Sequence, residues 1–260
     1  MLKILKYSFF DLIRSRWSYV YLLFYLLLGC VLLFLNNDLS KAVITLMNII
    51  ITLVPLIGTI FGVMYYYNSK EFTELLLAQP VKRSSIFIGQ YLGVALSLSM
   101  SLIIGLGIPF ALYGLFQSNE IWDFLLLLVT GAFLTLIFTA LAFNIALYNE
   151  NKIKGFSYAI LLWLFMAVIY DGLFLMSLIL LESYPLDTLS IGTTMFNPID
   201  LSRILILLKL DISALLGYTG AVFQKFFGTG FGLVLSISVL SLWVILPVLN
   251  IYRKSRKKDF

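Results

Sequence analysis

Histidine is absent from this 260-residue chain, and cysteine occurs once, at Cys30. No disulfide can form within the chain, and no His/Cys metal cluster has members here. Without histidine, Ser-His and Cys-His nucleophilic dyads and the HExxH zinc motif are excluded as well. An intramembrane protease loses most of its chemistry at that point. Charge is also scarce: 12% of residues are charged against 61% hydrophobic, and mean hydropathy is +1.01. A soluble domain holds roughly 45–50% apolar residues, so this chain is not one. The net charge of +5 follows from loop topology rather than from a nucleic-acid partner.

Long apolar runs are what the chain has in quantity. A hydrocarbon core about 30 Å thick takes roughly 20 apolar residues per helix. Residues 1–260 therefore form a single all-α integral membrane domain. Residues 1–16 place Leu2, Leu5, Phe9, Leu12 and Ile13 at helical spacing, with Lys3, Lys6, Arg14 and Arg16 on other faces. This is the pattern of an amphipathic helix on a membrane surface. A cleaved signal peptide is the rival reading, but the run at 17–35 exceeds a signal h-region and lacks an A-x-A site, so it is the first span.

Five more spans follow at 42–65, 92–116, 122–147, 156–181 and 229–252. Pro55 and Gly58 predict a kink in the second, which closes on the aromatic belt Tyr65-Tyr66-Tyr67. The third is rich in small residues (Gly93, Ser97, Ser99, Ser101, Gly105, Gly107) that permit close helix contact. Orientation comes from the basic residues. One side holds four before the first span, three in 68–91, two in 149–155 and five in the tail; the other holds Lys41, Arg203, Lys209 and Lys225. Both termini are thus expected in the cytoplasm of a bacterial inner-membrane protein.

The segment 68–91 is the longest polar interruption on that cytoplasmic side. Asn68 is expected to cap a short helix, with Glu71 returning the bond as in a capping box. Phe72, Leu75 and Leu76 then form an apolar face, with Lys70, Glu71 and Glu74 opposite and Pro80 as the stop. The result is a short amphipathic helix lying crosswise at the membrane surface. It suits the transfer of a push from a soluble partner; an ordinary interfacial loop helix fits the same pattern.

On the opposite side, 182–228 is the only long loop. Asn197-Pro198 is a cap followed by proline at the first helical position, opening a helix over 199–208 with Asp200 and Arg203 on a polar face. Asp211 is expected to cap a second helix ended by Gly217, and a third covers 218–227. The whole reads as a folded cap that hugs the membrane. Asp171, midway along the fifth span, is the one ionisable residue well inside a span, and such a charge must face the bundle interior, a partner or water. It reads as a gating or packing group, with a proton or substrate relay as the alternative. Asn144 in the fourth span reads as interhelical glue. The methionines form no MxM or MxxM pair and read as packing residues rather than Cu(I) ligands.

Together these features resemble the membrane subunits of type-2 ABC transporters (ABC-2, or type V exporter-like, permeases). That family has an N-terminal interface helix, six spans, a cytoplasmic coupling helix between spans two and three, and small periplasmic helices before span six. The blocks MYYYNSKEFTELLLAQPVKRSSIFIGQYLG and NPIDLSRILILLKLDISALLGYTGAVF resemble the branch of the family that serves copper-site maturation of nitrous oxide reductase. The resemblance implies a homodimer with a cytoplasmic ATPase that holds ATP and Mg, and with a periplasmic β-helical protein. It implies that Glu71, Phe72, Thr73, Glu74, Leu75, Leu76, Gln79, Pro80, Lys82 and Arg83 engage the ATPase. It also implies that Asn197, Pro198, Asp200, Arg203 and Asp211 serve docking of the periplasmic partner. No GxxxxGK[ST] motif occurs, which fits an ATPase on a separate chain. No cofactor or metal is expected on this chain, and without a ladder of ligands conformational work or a sulfur species is the expected cargo rather than copper.

Three alternatives remain at the level of sequence. An ABC-2 exporter of a lipid, peptide or drug would share the architecture. A secondary transporter would need inverted repeats and paired midplane charges, and neither is visible. A structural scaffold fits the composition.

Overall fold

In the computed structural model, residues 2–36, 38–118, 120–180, 186–209, 223–226, 228 and 230–257 are described. The interface helix α1 (Leu2–Arg14) turns at Ser15 into α2 (Arg16–Asn36). α3 (Leu39–Asn68) is followed after one residue by α4 (Lys70–Leu77), and α5 (Arg83–Leu112) by a 3-10 turn (Leu115–Gln117) and α6 (Ile121–Tyr148). The fifth span is composite: α7 (Lys152–Leu164), a π-helical stretch (Phe165–Ile169) and α8 (Tyr170–Leu180). α9 (Leu186–Met195), α10 (Pro198–Lys209) and α11 (Gly230–Lys257) complete the chain. Among the described residues six helices are long and apolar enough to cross a bilayer, as the sequence predicts.

Two differences in span limits have local causes. α5 begins at Arg83 rather than at 92, because the helix after the Pro80 turn runs straight on into the apolar run. It stops at Leu112 rather than at 116, because Gly114 takes the left-handed conformation (φ 95) that glycine adopts without steric cost. Pro55 is carried inside an unbroken α3, where the Thr59 hydroxyl donates to its carbonyl at 2.7 Å.

α5 and α6 form the centre, each 61% buried over its most apolar window. Small residues let neighbours approach. A Cβ at Gly93 would lie 2.6 Å from that of Ser8, and one at Gly105 would lie 2.7 Å from that of Tyr25, so α1 and α2 both lie directly on α5. α3 and α6 meet the same way, with Gly62 against Ala142 and the Thr139 hydroxyl donating to the Gly58 carbonyl at 3.5 Å. Gly107, which the sequence groups with these, faces open space. On α1 the packed residues are Ile4, Ser8 and Leu12, while Leu2 of the expected apolar stripe is exposed.

Loops join at the two ends of the bundle. At one end, Tyr67 donates to the Asn149 carbonyl at 2.7 Å and Lys152 to the Asn68 side chain at 3.1 Å. At the other, the Ser40 hydroxyl donates to Glu120. The fifth span is only 6% buried, so most of its surface is left for lipid or another chain.

The close contacts predict unequal responses to one added methyl group. Gly93→Ala overpacks the α1–α5 seam and costs about 1–3 kcal/mol, whereas Gly107→Ala is neutral or slightly stabilising. Thermal unfolding of both variants in detergent checks this; equal shifts would contradict the packing.

Candidate functional site

α4 is fastened from two sides. Its one buried residue is Thr73, whose hydroxyl accepts from the Gln90 side chain of α5 at 2.8 Å. Phe72 stacks on Tyr7 of α1 with ring centroids 4.5 Å apart. Leu76 is half-buried, while Glu71, Glu74, Gln79, Pro80, Lys82 and Arg83 are exposed. Leu75 is 68% exposed, so it belongs to the outward face and not to the packed one that the sequence suggests. The expected capping box is absent as well. Asn68 is the last residue of α3 and accepts from Lys152, and Ser69 takes the cap position of α4 with no side-chain capping bond. The Lys70–Glu74 pair at 3.9 Å is exposed on both sides and adds little.

The result is a short helix with an anchored inner face and a free outer face carrying two acids and a leucine. Gln90 and Tyr7 are the residues sequence reading missed. Gln90 carried a signal, since it is an amide within the apolar length of α5, and a buried amide needs a partner.

The described helices before the sixth span, α9 and α10, do not lie along the surface. Trp243 donates to the Met195 carbonyl at 3.1 Å, and Trp243 lies thirteen residues inside α11, about 20 Å along its axis. The α9–α10 turn therefore reaches deep into the bundle as a re-entrant hairpin, tolerated because protein surrounds it. The reason is in α10 itself. Ile199, Leu201, Ile204, Leu205, Ile206 and Leu207 are all buried, against α3, α6 and α11 among others. A helix buried along most of its length is a core helix, not an interfacial one.

Its polar residues hold it there. The Asn197 side-chain Oδ1 accepts the Ile199 N–H at 3.1 Å, which is the predicted cap. The Asn197 amide donates to Asp200 at 2.9 Å and to the Met166 carbonyl at 2.8 Å. Met166 lies in the π-helical stretch, where Tyr170 N–H donates five residues back to Phe165. Such a shift in the ladder turns a carbonyl towards an outside donor. Arg203 bonds Asp171 of α8 at 2.8 Å and Asp200 at 3.3 Å. Tyr170 donates to the Thr193 carbonyl at 2.6 Å.

Asp171, the one ionisable residue that the sequence places well inside a span, is paired with Arg203. It ties the fifth span to the hairpin. Asn197, Pro198 and Asp200 are buried and pin α10 rather than present themselves to a partner. Asp211 lies outside the described residues, as do its expected helix and most of 218–227. Asn144 donates to its own turn at Ala140 and across to the Pro247 carbonyl of α11, both at 2.9 Å, so it is interhelical glue. Among the described residues no group of three or more His, Cys, Asp or Glu could hold a metal ion.

Burial is the main cause that raises the Asp200 carboxyl to about 8, with the neighbouring Asp171 adding to it and Arg203 and Asn197 opposing. Asp200 is therefore drawn towards its protonated form. Between an unfolded value near 3.8 and about 8 the folded state holds a proton that the unfolded state has released, so each rise in pH across that window lowers stability. Thermal unfolding in detergent from pH 4 to 8 reads this as a falling midpoint, flattened in Asp200→Asn. Parallel curves for the two proteins would contradict it.

No family model matches the chain. It is 26% identical over 221 residues to the probable ABC transporter permease protein NosY of Pseudomonas aeruginosa, covering 78% of this chain and 80% of that one. It is 24% identical over 254 residues to the protein of the same name from Stutzerimonas stutzeri, covering 92% and 85%. With six helices long and apolar enough to span a bilayer and a likeness that runs through most of its length, this membrane protein is similar to ABC transporter permeases of the NosY kind.

Proposed function

We propose that this chain is the inner-membrane subunit through which a NosF-like cytoplasmic ATPase acts on a NosD-like periplasmic β-helical protein during assembly of the CuZ and CuA sites of nitrous oxide reductase. Two copies of the chain pair with two of the ATPase, which binds ATP and Mg. Both termini and α4 lie on the cytoplasmic side. The observation that carries this reading is the build of α4: an outward face free for a soluble partner, and an inner face fixed to α5 and α1.

A push on the Glu71, Glu74 and Leu75 face travels through Thr73 to Gln90 and through Phe72 to Tyr7. α5 then carries it to α2 and α6, on which it packs. At the periplasmic end the hairpin responds, because Asp171 and Arg203 link it to the fifth span. Docking of the β-helical partner falls to residues of 182–228 other than Asn197, Pro198 and Asp200, which are buried; Asp211 stays among the candidates that the resemblance implies. The lone Cys30 and the absence of histidine favour transmitted work or a sulfur species over copper passed along a ladder of ligands. A second reading, an ABC-2 exporter of a lipid, peptide or drug, draws on the uncovered fifth span, whose faces would line a path between protomers.

Two experiments separate these readings. In a strain lacking this chain, purified nitrous oxide reductase is expected to lack its copper centres and to regain them on complementation; full copper content in the deletion strain favours the exporter. At the coupling site, Leu75→Asp is expected to abolish co-purification with the ATPase. Gln90→Leu is expected to keep the complex but lower complementation, at a stability cost of about 0.5–1.5 kcal/mol for the one bond lost, since the Thr73 hydroxyl keeps its bond to the Ser69 carbonyl. Undiminished co-purification of Leu75→Asp would sink the coupling role of α4.

A further inference from the structure

The outward side of α1 carries its charges in two adjoining hollows. One is a shallow cleft of about 670 Å³ along the helix, lined by the basic residues Lys3, Lys6 and Arg14 together with Tyr7, Phe10 and Asp11. The other, of about 320 Å³, lies between α1, the start of α2, the end of α3 and α4. Its walls include the rings of Tyr7, Trp17, Tyr65 and Phe72, and among the described residues Asp11 is the only charged side chain in its lining. Tyr7 and Asp11 line both hollows, which therefore share a wall.

The charged groups are open to a ligand. Lys3, Lys6, Asp11 and Arg14 are exposed, and so are Tyr7 and Trp17. Arg14 stands one turn beyond Asp11, yet no ion pair joins Asp11 to it or to another cation among the described residues. Tyr7 stacks on Phe72, so that side of the second hollow is one continuous aromatic surface. A carboxylate among aromatic rings attracts a cation, through its own charge and through the negative faces of the rings. Basic side chains along one helix face attract a phosphate. Asp11 and Arg14 are three residues apart, which sets the two kinds of charge about 5–6 Å apart at the helix surface. A phosphate and an ammonium joined by two carbons match that separation. Exposed aromatic and basic residues side by side are also the pattern of the headgroup layer, where an amphipathic helix such as α1 lies.

We propose that the two hollows together bind the headgroup of a zwitterionic phospholipid, phosphatidylethanolamine, with its phosphate on Lys6 and Arg14 and its ammonium on Asp11 among the rings. A lipid whose only headgroup charge is its phosphate meets Asp11 as a repulsive neighbour, so the same carboxylate selects against it. Neither hollow depends on the partner ATPase or on the copper-site reading.

The test uses the full chain in detergent and native mass spectrometry, with dioleoylphosphatidylethanolamine, its N-acetyl derivative and dioleoylphosphatidylglycerol as probes. N-acetylation removes the cation and keeps the phosphate and the chains. Phosphatidylethanolamine is expected to bind roughly three- to tenfold more tightly than either comparison, the worth of one exposed ion pair and a cation–π contact. Asp11→Asn is expected to erase that preference without weakening phosphatidylglycerol, and Trp17→Leu to reduce it. Lys6→Gln combined with Arg14→Gln is expected to weaken all three lipids, because the phosphate side is lost. The ratio of two lipids on one variant does not depend on how much of that variant is folded. Equal binding of phosphatidylethanolamine and its N-acetyl form, preference for phosphatidylglycerol, or a preference that survives Asp11→Asn would overturn the proposal. So would loss of the preference in the complex with the ATPase, which would put a basic side chain of that partner in the aromatic hollow.

Discussion

One hydrogen bond, from the Gln90 amide to the Thr73 hydroxyl, joins the short helix α4 to the core of the bundle. It is buried, so it competes with no water, and breaking it would strand polar groups in an apolar setting. The stacked pair Tyr7 and Phe72 fixes the same helix to α1, and α1 in turn lies on α5 across Gly89 and Gly93. α4, α1 and α5 thereby form one rigid body at one end of the protein. Force applied to the outer face of α4 has no soft joint there in which to be lost.

At the other end the same logic is met with charge. The α9–α10 hairpin enters the bundle with its backbone turn satisfied by Asn197 and with a carbonyl of the π-helical stretch as receptor. Asp171, Arg203 and Asp200 close the join to the fifth span. An ion pair only partly withdrawn from its surroundings is weak evidence for stability, since desolvation offsets part of its attraction. Its better-supported use is to fix which surfaces meet. Here it registers a re-entrant element against a span that is otherwise almost uncovered by protein.

The six spans were legible because length and hydropathy decide them. The short helix α4 was legible because proline and polar residues bound it. Its inner face was not, since Phe72, Leu75 and Leu76 share the helical period while the contact is made by Thr73, a small polar residue whose partner lies seventeen residues away. The hairpin was misread for a related reason. Asp200 and Arg203 look like a solvent-facing pair when their own helix is considered alone. Only Asp171, thirty-two residues before Arg203, shows that the charges satisfy one another inside the protein. Pattern along one helix reports the share of apolar surface, and tertiary partners decide which side is covered.

The central claim is that α4 and α5 move together when the partner ATPase turns over. Spin labels at Ala78 on α4 and Leu96 on α5, in a Cys30→Ser background and in the complex with the ATPase, measure it directly by pulsed electron resonance. The account predicts one narrow distance, unchanged between the nucleotide-free and ATP-bound states. A distance that shifts or broadens with nucleotide would show α4 sliding on the bundle, and force would then have to travel by another route.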